Sequence, residues 1–317
     1  MFNSVFKRAK KPIIDRPVAF AVISVVLFYL FYVTAAILFV LFNMFVLGNT
    51  TEYLKHTYVF KAVTCIIFAA GIWMIVRKAK HQLKENFKLN FKTRIFAAGV
   101  LTILYLAVLK GATILICGSI SSEHFISPDL VVVTTTLVTV IEGVLEELLC
   151  RGIYVGNMMR FISSKTNGIY KAAVFSAAVT GFFHIFVLSV VGFTPGGFIE
   201  MTWIICAGFL LGAIYIRTRS LSAVIIAHMC MDVMDLLMAN THLFPDMCTA
   251  DLVSGNLTAF WVTALTVLMM IGAISIGVYL LRPAKQKEIC RIWKLNPEKP
   301  AAAVCKYEKP VFVGGMY

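Results

Sequence analysis

The sequence predicts an all-α fold, a polytopic transmembrane helix bundle of about eight spans with both termini in the cytoplasm. Three observations carry this expectation: composition, a series of long apolar runs, and the one-sided placement of Lys and Arg between them. Of the 317 residues, 60% are apolar and only 14% are charged. A soluble domain carries roughly 25% charged residues and has a polar surface to cover. A length that would suit two soluble domains therefore suits one bundle in lipid.

The spans follow from apolar runs of about 20 residues, the length that crosses a ~30 Å hydrocarbon core. They fall near 18–45, 57–76, 95–118, 130–150, 170–193, 198–216, 221–239 and 257–281. The first run is longer than one upright crossing requires, so it tilts, bends or projects beyond the core. It is also longer than the apolar core of a signal peptide and lacks a small-residue cleavage site, so it is expected to be retained.

Between the runs, 26 of the 29 Lys and Arg residues fall in alternate segments: before the first span, from Arg77 to Arg94, at Arg151, Arg160, Lys165 and Lys171, at Arg217 and Arg219, and from Arg282 onward. The other loops carry Glu52, Glu123, Asp129, Asp246 and Asp251. The positive-inside rule then places both termini inside. It also accounts for the net charge of +13 without a nucleic-acid partner, through attraction to anionic lipids at the cytoplasmic face. The chain divides into a basic N-terminal segment at 1–17, a bundle at 18–281 and a basic tail at 282–317. Four prolines make that tail read as a flexible cytoplasmic extension.

The eight cysteines show no C-x-x-C spacing, and most fall inside spans, where a thiol behaves as a small hydrophobe. Only Cys117 and Cys248 lie near the outer side, and nothing indicates that they pair. The Asn-x-Thr triplets at Asn49 and Asn256 matter only in a glycosylating host.

Ionisable groups inside the spans point to function, because each costs about 2.5–3.5 kcal/mol even on a lenient insertion scale. Span four ends with Glu142, Glu146, Glu147 and Arg151 within ten residues. Span five carries His184 in an apolar run, and span seven carries His228 and Asp232 at i and i+4. Glu200 and Asp235 read as lining or interfacial groups.

Helical spacing sorts these groups. Glu142 and Glu146 share one face and Glu147 and Arg151 another, since positions four apart are neighbours on a helix. Adjacent Glu146 and Glu147 diverge by about 100°. Glu147 is thus expected to pair with Arg151 near the cytoplasmic surface, leaving Glu146 to face the interior. Asp232 is expected to accept a hydrogen bond from His228 and fix its tautomer. Gly208 and Gly212 form a small-x-x-x-small spacing suited to close helix packing.

A carboxylate, two imidazoles and a second carboxylate on three helices suit a general base, since a desolvated Glu is raised towards the range useful for taking a proton from water. Glu146, His184 and His228 equally suit a divalent metal such as zinc with one open position. For Glu146 and His184 to meet at one depth, span five is expected to project its first turns into the cytoplasm.

These residues carry a family resemblance. The segments E-E-L-L-C-R-G-I-Y at 146–154, His184, and G-F-L-L-G-A-I-Y-I-R-T-R-S-L-S-A-V-I-I-A-H-M-C-M-D at 208–232 resemble the CAAX-protease and bacteriocin-processing (CPBP, or Abi) family of intramembrane endopeptidases. The resemblance covers about 130–240, on motifs of the form E-E-x-x-x-R, F-x-x-x-H and H-x-x-x-N/D. It implies that Glu146 activates the attacking water, with Glu147 and Arg151 filling the first motif. It further implies that His184, His228 and Asp232 bind metal or stabilise the oxyanion. The Phe expected four residues before the first His is Thr180 here, a position that lines the site in the family. The implied substrate is a membrane-embedded or lipidated peptide or protein, including prenylated CAAX tails, and the implied location is the plasma membrane of a bacterium. A non-proteolytic scaffold or bacteriocin self-immunity protein is the alternative. A transporter finds no inverted repeat in its support.

Overall fold

The computed structural model describes residues 16–46, 65–66, 68–77, 86, 108, 140–162, 166–185, 195–239 and 257–295. Helix α1 spans Pro17–Val46, and the fixed φ of Pro17 suits the first helical position. Its buried face carries Phe20, Ala21, Ser24, Val25 and Phe28, while Val18, Val22, Val26 and Leu30 are exposed. Both faces are thus apolar. Helix α2 is Phe68–Arg77, and Phe68 stacks on Phe28 with ring centroids 4.9 Å apart.

Helix α3 is described from residue 140 and runs as a wider π-helix over Leu148–Val155 before a last α-turn at Gly156–Met158. The expected end of this span near 150 is thereby corrected. Arg151 read as a surface marker, but it is fully buried and ion-paired, so its charge does not stop the helix. Leu149, Ile153, Tyr154 and Val155 continue the buried apolar face beyond it.

Helix α4 is Thr166–Phe183, α5 is Pro195–Thr218 and α6 is Leu221–Ala239. Helix α7 is Leu257–Leu281. Helix α5 is the centre of the bundle and packs most extensively against α4 and α7. Small residues allow the closeness. A Cβ on Gly208 would lie 2.7 Å from Thr180 Cβ, and one on Gly212 would lie 2.5 Å from Ser176 Cβ. The small-x-x-x-small spacing read from the sequence is indeed the α4–α5 contact.

By length and composition, Pro195–Thr218 and Thr263–Leu281 can each cross a membrane. The second presents Val267, Leu268, Ile271, Ile274 and Val278 on its exposed surface. Among the described residues the chain is all helical, without strands. The expected third span at 95–118, apart from helical Val108, lies outside the described residues. So do the outer acids Glu52, Glu123, Asp129, Asp246 and Asp251, together with Cys117, Cys248, Asn49, Asn256 and the tail beyond Leu295.

The start of the tail is not a free extension. A single 3₁₀ turn at Pro283–Lys285 leads into α8, Gln286–Trp293, which ends on Lys294 in the left-handed conformation (φ 54°). Helix α8 docks on the end of α5 through its buried residues Ile289 and Trp293. Trp293 Nε1 donates to the Ile216 carbonyl at 2.7 Å, and Arg217 pairs with Glu288 at 2.5 Å. Arg219, in the two-residue turn between α5 and α6, lies over the Trp293 ring and donates to the Ile292 carbonyl at 3.0 Å. Prolines signalled flexibility, but the apolar stripe between them supplied a docking face.

Three contacts gather the basic helix ends on one side. Tyr170 at the start of α4 donates to the Val278 carbonyl near the end of α7. Tyr215 near the end of α5 donates to the Asn86 carbonyl, and Asn86 lies against Gly156 at the end of α3.

Candidate active site

The first motif places one of its two acids in full burial and leaves the other partly exposed. Glu147 and Arg151, one turn apart, are both fully buried, and Arg151 Nη1 donates to Glu147 Oε1 at 2.6 Å. The pair expected from the i,i+4 spacing is formed. It sits in the interior because α4 and α5 supply further acceptors. Arg151 Nη2 donates to Thr180 Oγ1 at 3.1 Å and to the Gly208 carbonyl at 3.3 Å. That carbonyl also accepts from Ser176 Oγ at 2.9 Å. Among the described residues, Glu147 Oε2 and Arg151 Nε meet no partner.

Glu147 has a second task that the sequence reading assigned to Asp232. His228 Nδ1 lies 2.7 Å from Glu147 Oε1, and a carboxylate oxygen already accepting from Arg151 takes a hydrogen from the ring. This fixes Nδ1 as the donor and leaves Nε2 facing the site. Asp232 Oδ1 lies 3.4 Å from Nε2, on the other side of the ring. The i,i+4 spacing brought Asp232 to His228, as expected. Only tertiary packing could show that the orienting acid comes from another helix. Helix α6 approaches α3 closely at this point, since a Cβ on Gly143 would meet Asp232 Oδ2 at 2.8 Å.

His184 directly follows Phe183, the last residue of α4. Its ring Nδ1 is 2.9 Å from the Thr180 carbonyl, which also accepts the His184 backbone N–H at 3.2 Å. A carbonyl only accepts, so Nδ1 again donates and Nε2 turns inward.

Both inward nitrogens face Glu146. Its Oε2 is 3.6 Å from His184 Nε2 and 4.0 Å from His228 Nε2. The Glu146 side chain keeps 29% of its exposure, against 0% for Glu147. The structure thus brings Glu146, Glu147, Arg151, His184, His228 and Asp232 together from α3, the end of α4, and α6. Glu142 and Glu200 are half-buried, and the Asp235 side chain lies outside the described residues. At ~1.5 Å per residue, Glu146 is about 18 Å from Met158 and His228 about 10 Å into α6. The site is therefore inside the bundle. The depth mismatch between Glu146 and His184 eases because α3 runs on past Arg151 to Met158.

Among the described residues, no group of three His, Cys, Asp or Glu is gathered closely enough to hold a metal ion.

Sequence reasoning missed Thr180 Oγ1, Ser176 and the Gly208 carbonyl as partners of this centre. The one available signal was Thr180 itself, a hydroxyl where the resemblance expects Phe, four residues before His184 and facing the small-residue stripe of α5.

The described residues form an all-helical bundle that holds a carboxylate–imidazole cluster. Residues 128–234, which contain every residue of this cluster, match the family model described as type II CAAX prenyl endopeptidase, Rce1-like. The match agrees with the resemblance read from the sequence and supports a CAAX-type protease. No curated protein and no solved structure matches the chain.

Proposed function

We propose that this protein is a multi-pass intramembrane endopeptidase that hydrolyses a peptide bond of a membrane-embedded or lipidated substrate, prenylated CAAX tails included, in the plasma membrane of a bacterium. The observation that carries the reading is the convergence of two imidazole Nε2 atoms on Glu146 Oε2 at 3.6 and 4.0 Å, each imidazole held by its Nδ1. A water beside Glu146 and His184 can touch both groups. Glu146 takes its proton as the oxygen adds to the substrate carbonyl, then returns the proton to the leaving nitrogen. His228, protonated, donates through Nε2 to the developing oxyanion, and Glu147 holds its ring in place. Asp232 lies where it can orient Nε2 or contact the substrate.

About eight spans with both termini cytoplasmic fit the apolar outer faces of α1 and α7 and the shared side of the basic helix ends. Arg77 over Trp73 and Arg282 over Tyr279 add the aromatic–cation pairs common at a membrane interface. Anionic lipids are the expected neighbours of that side. Comparative membrane proteomics tests the function: a Glu146→Gln strain is expected to accumulate uncut precursors that the wild type lacks. Identical membrane proteomes would oppose the reading.

A further inference from the structure

We infer that Thr180 is a positioning residue that ties both imidazoles of the site to one point on α4. Its two oxygens act in opposite directions. The carbonyl accepts His184 Nδ1 at 2.9 Å. The hydroxyl accepts Arg151 Nη2 at 3.1 Å, Arg151 Nη1 donates to Glu147 Oε1 at 2.6 Å, and the same Oε1 holds His228 Nδ1 at 2.7 Å. One residue therefore fixes His184 directly and His228 through two intermediates.

The surroundings make this link selective for Thr. Thr180 is buried, at 6% exposure, and Gly208 faces it with no room for a Cβ. The side chain thus fills the α4–α5 interface, and its hydroxyl reaches Arg151. A Phe at this position would present no acceptor, so Arg151 would lose one of its three partners among the described residues. Val keeps the shape and removes the acceptor, whereas Ser keeps the acceptor.

The consequence for turnover rests on the proposed endopeptidase reading, but the link itself can be read without a substrate. Protein carrying ¹⁵N-histidine is purified in detergent as wild type, Thr180→Val and Thr180→Ser, with ring signals assigned through His184→Gln and His228→Gln. In Thr180→Val the His228 Nδ1–H signal is expected to shift or to exchange faster, while His184 keeps its signal because the carbonyl remains. Thr180→Ser is expected to restore both. Glu146-dependent turnover in Thr180→Val is expected to fall on the order of ten- to a hundredfold in kcat with little change in KM, as for a slightly misplaced catalytic group. Unchanged His228 signals in folded Thr180→Val would overturn the link. So would equal loss of fold in Val and Ser, which would make Thr180 a packing residue only. If Val does not fold while Ser does, Thr180→Ala, which removes the hydroxyl without adding bulk, decides by the same signals. A wild type without turnover would defeat the endopeptidase reading, and the ring signals would still decide the link.

Discussion

His228 on α6 and Arg151 on α3 share one oxygen, Glu147 Oε1, at 2.7 and 2.6 Å. The oxygen is buried, so the carboxylate both neutralises the guanidinium and sets the direction of an imidazole. Stability and site geometry are therefore joined at Glu147, whereas Glu146, one residue earlier and partly exposed, is left to the chemistry.

Breaking this junction is expected to cost more than activity. Removing one member of a buried pair typically costs about 3–5 kcal/mol, because the other charge is left unpaired. Glu147→Gln and Arg151→Leu are expected to lower thermal stability in detergent and the folded amount in membranes. Glu146→Gln should leave both near wild type. Equal losses in all three would contradict the division of roles.

Close packing of α4 on α5 gives a second expectation. A methyl on Gly208 would press on Thr180 Cβ at 2.7 Å. Overpacking of this kind costs about 1–3 kcal/mol, offset by about 1 kcal/mol of helix propensity. Gly208→Ala is expected to destabilise by a net of up to ~2 kcal/mol, measured as a loss in detergent unfolding. A gain in stability would show that the helices can separate freely.

For Asp232, the 3.4 Å separation from His228 Nε2 places the carboxylate on the substrate side of the ring. Asp232→Asn keeps an acceptor oxygen there and is expected to retain much of the activity, while Asp232→Leu should lose it. Peptide cleavage by purified protein measures both. If Asn instead weakens activity by about 10–100-fold and added Zn²⁺ restores it, the carboxylate supports a metal. Full activity in Leu would leave Asp232 a packing partner.

Acid is expected to loosen the α8 dock. The hydrogen bond from Arg217 holds the Glu288 carboxyl below its ordinary value. A depressed carboxylate contributes stability that is complete above the unfolded pKa and is lost as pH falls through the folded one. The difference in thermal stability between wild type and Glu288→Gln should therefore be constant above about pH 5 and vanish at lower pH. Its size should stay under about 1 kcal/mol, as for a partly exposed pair. A difference that grows on acidification would contradict the assignment.

Much of this arrangement was legible in sequence because lipid leaves so few options. The apolar runs foretold α6 and α7 at Leu221–Ala239 and Leu257–Leu281, since a run bounded by polar residues has nowhere else to end. Ionisable residues in those runs named the site because each must have a reason to be there. What failed was partner choice. Arg151 looked like a boundary charge, and Asp232 looked like the orienting acid, because spacing along one helix sees only i,i+4 neighbours. The true partners, Glu147 for His228 and Thr180 for Arg151, lie 81 and 29 residues away. The dock of α8 was hidden for a similar reason, since Ile289 and Trp293 matter only once α5 offers them a surface.

The central claim is that Glu146 activates a water for peptide hydrolysis. Purified wild type and Glu146→Gln are returned to membranes from a strain lacking the protein, in H₂¹⁸O, and new peptide C termini are read by mass spectrometry. Wild type is expected to generate a set of ¹⁸O-labelled C termini that Glu146→Gln does not. The same labelled set from Glu146→Gln, or none from wild type, would contradict the account.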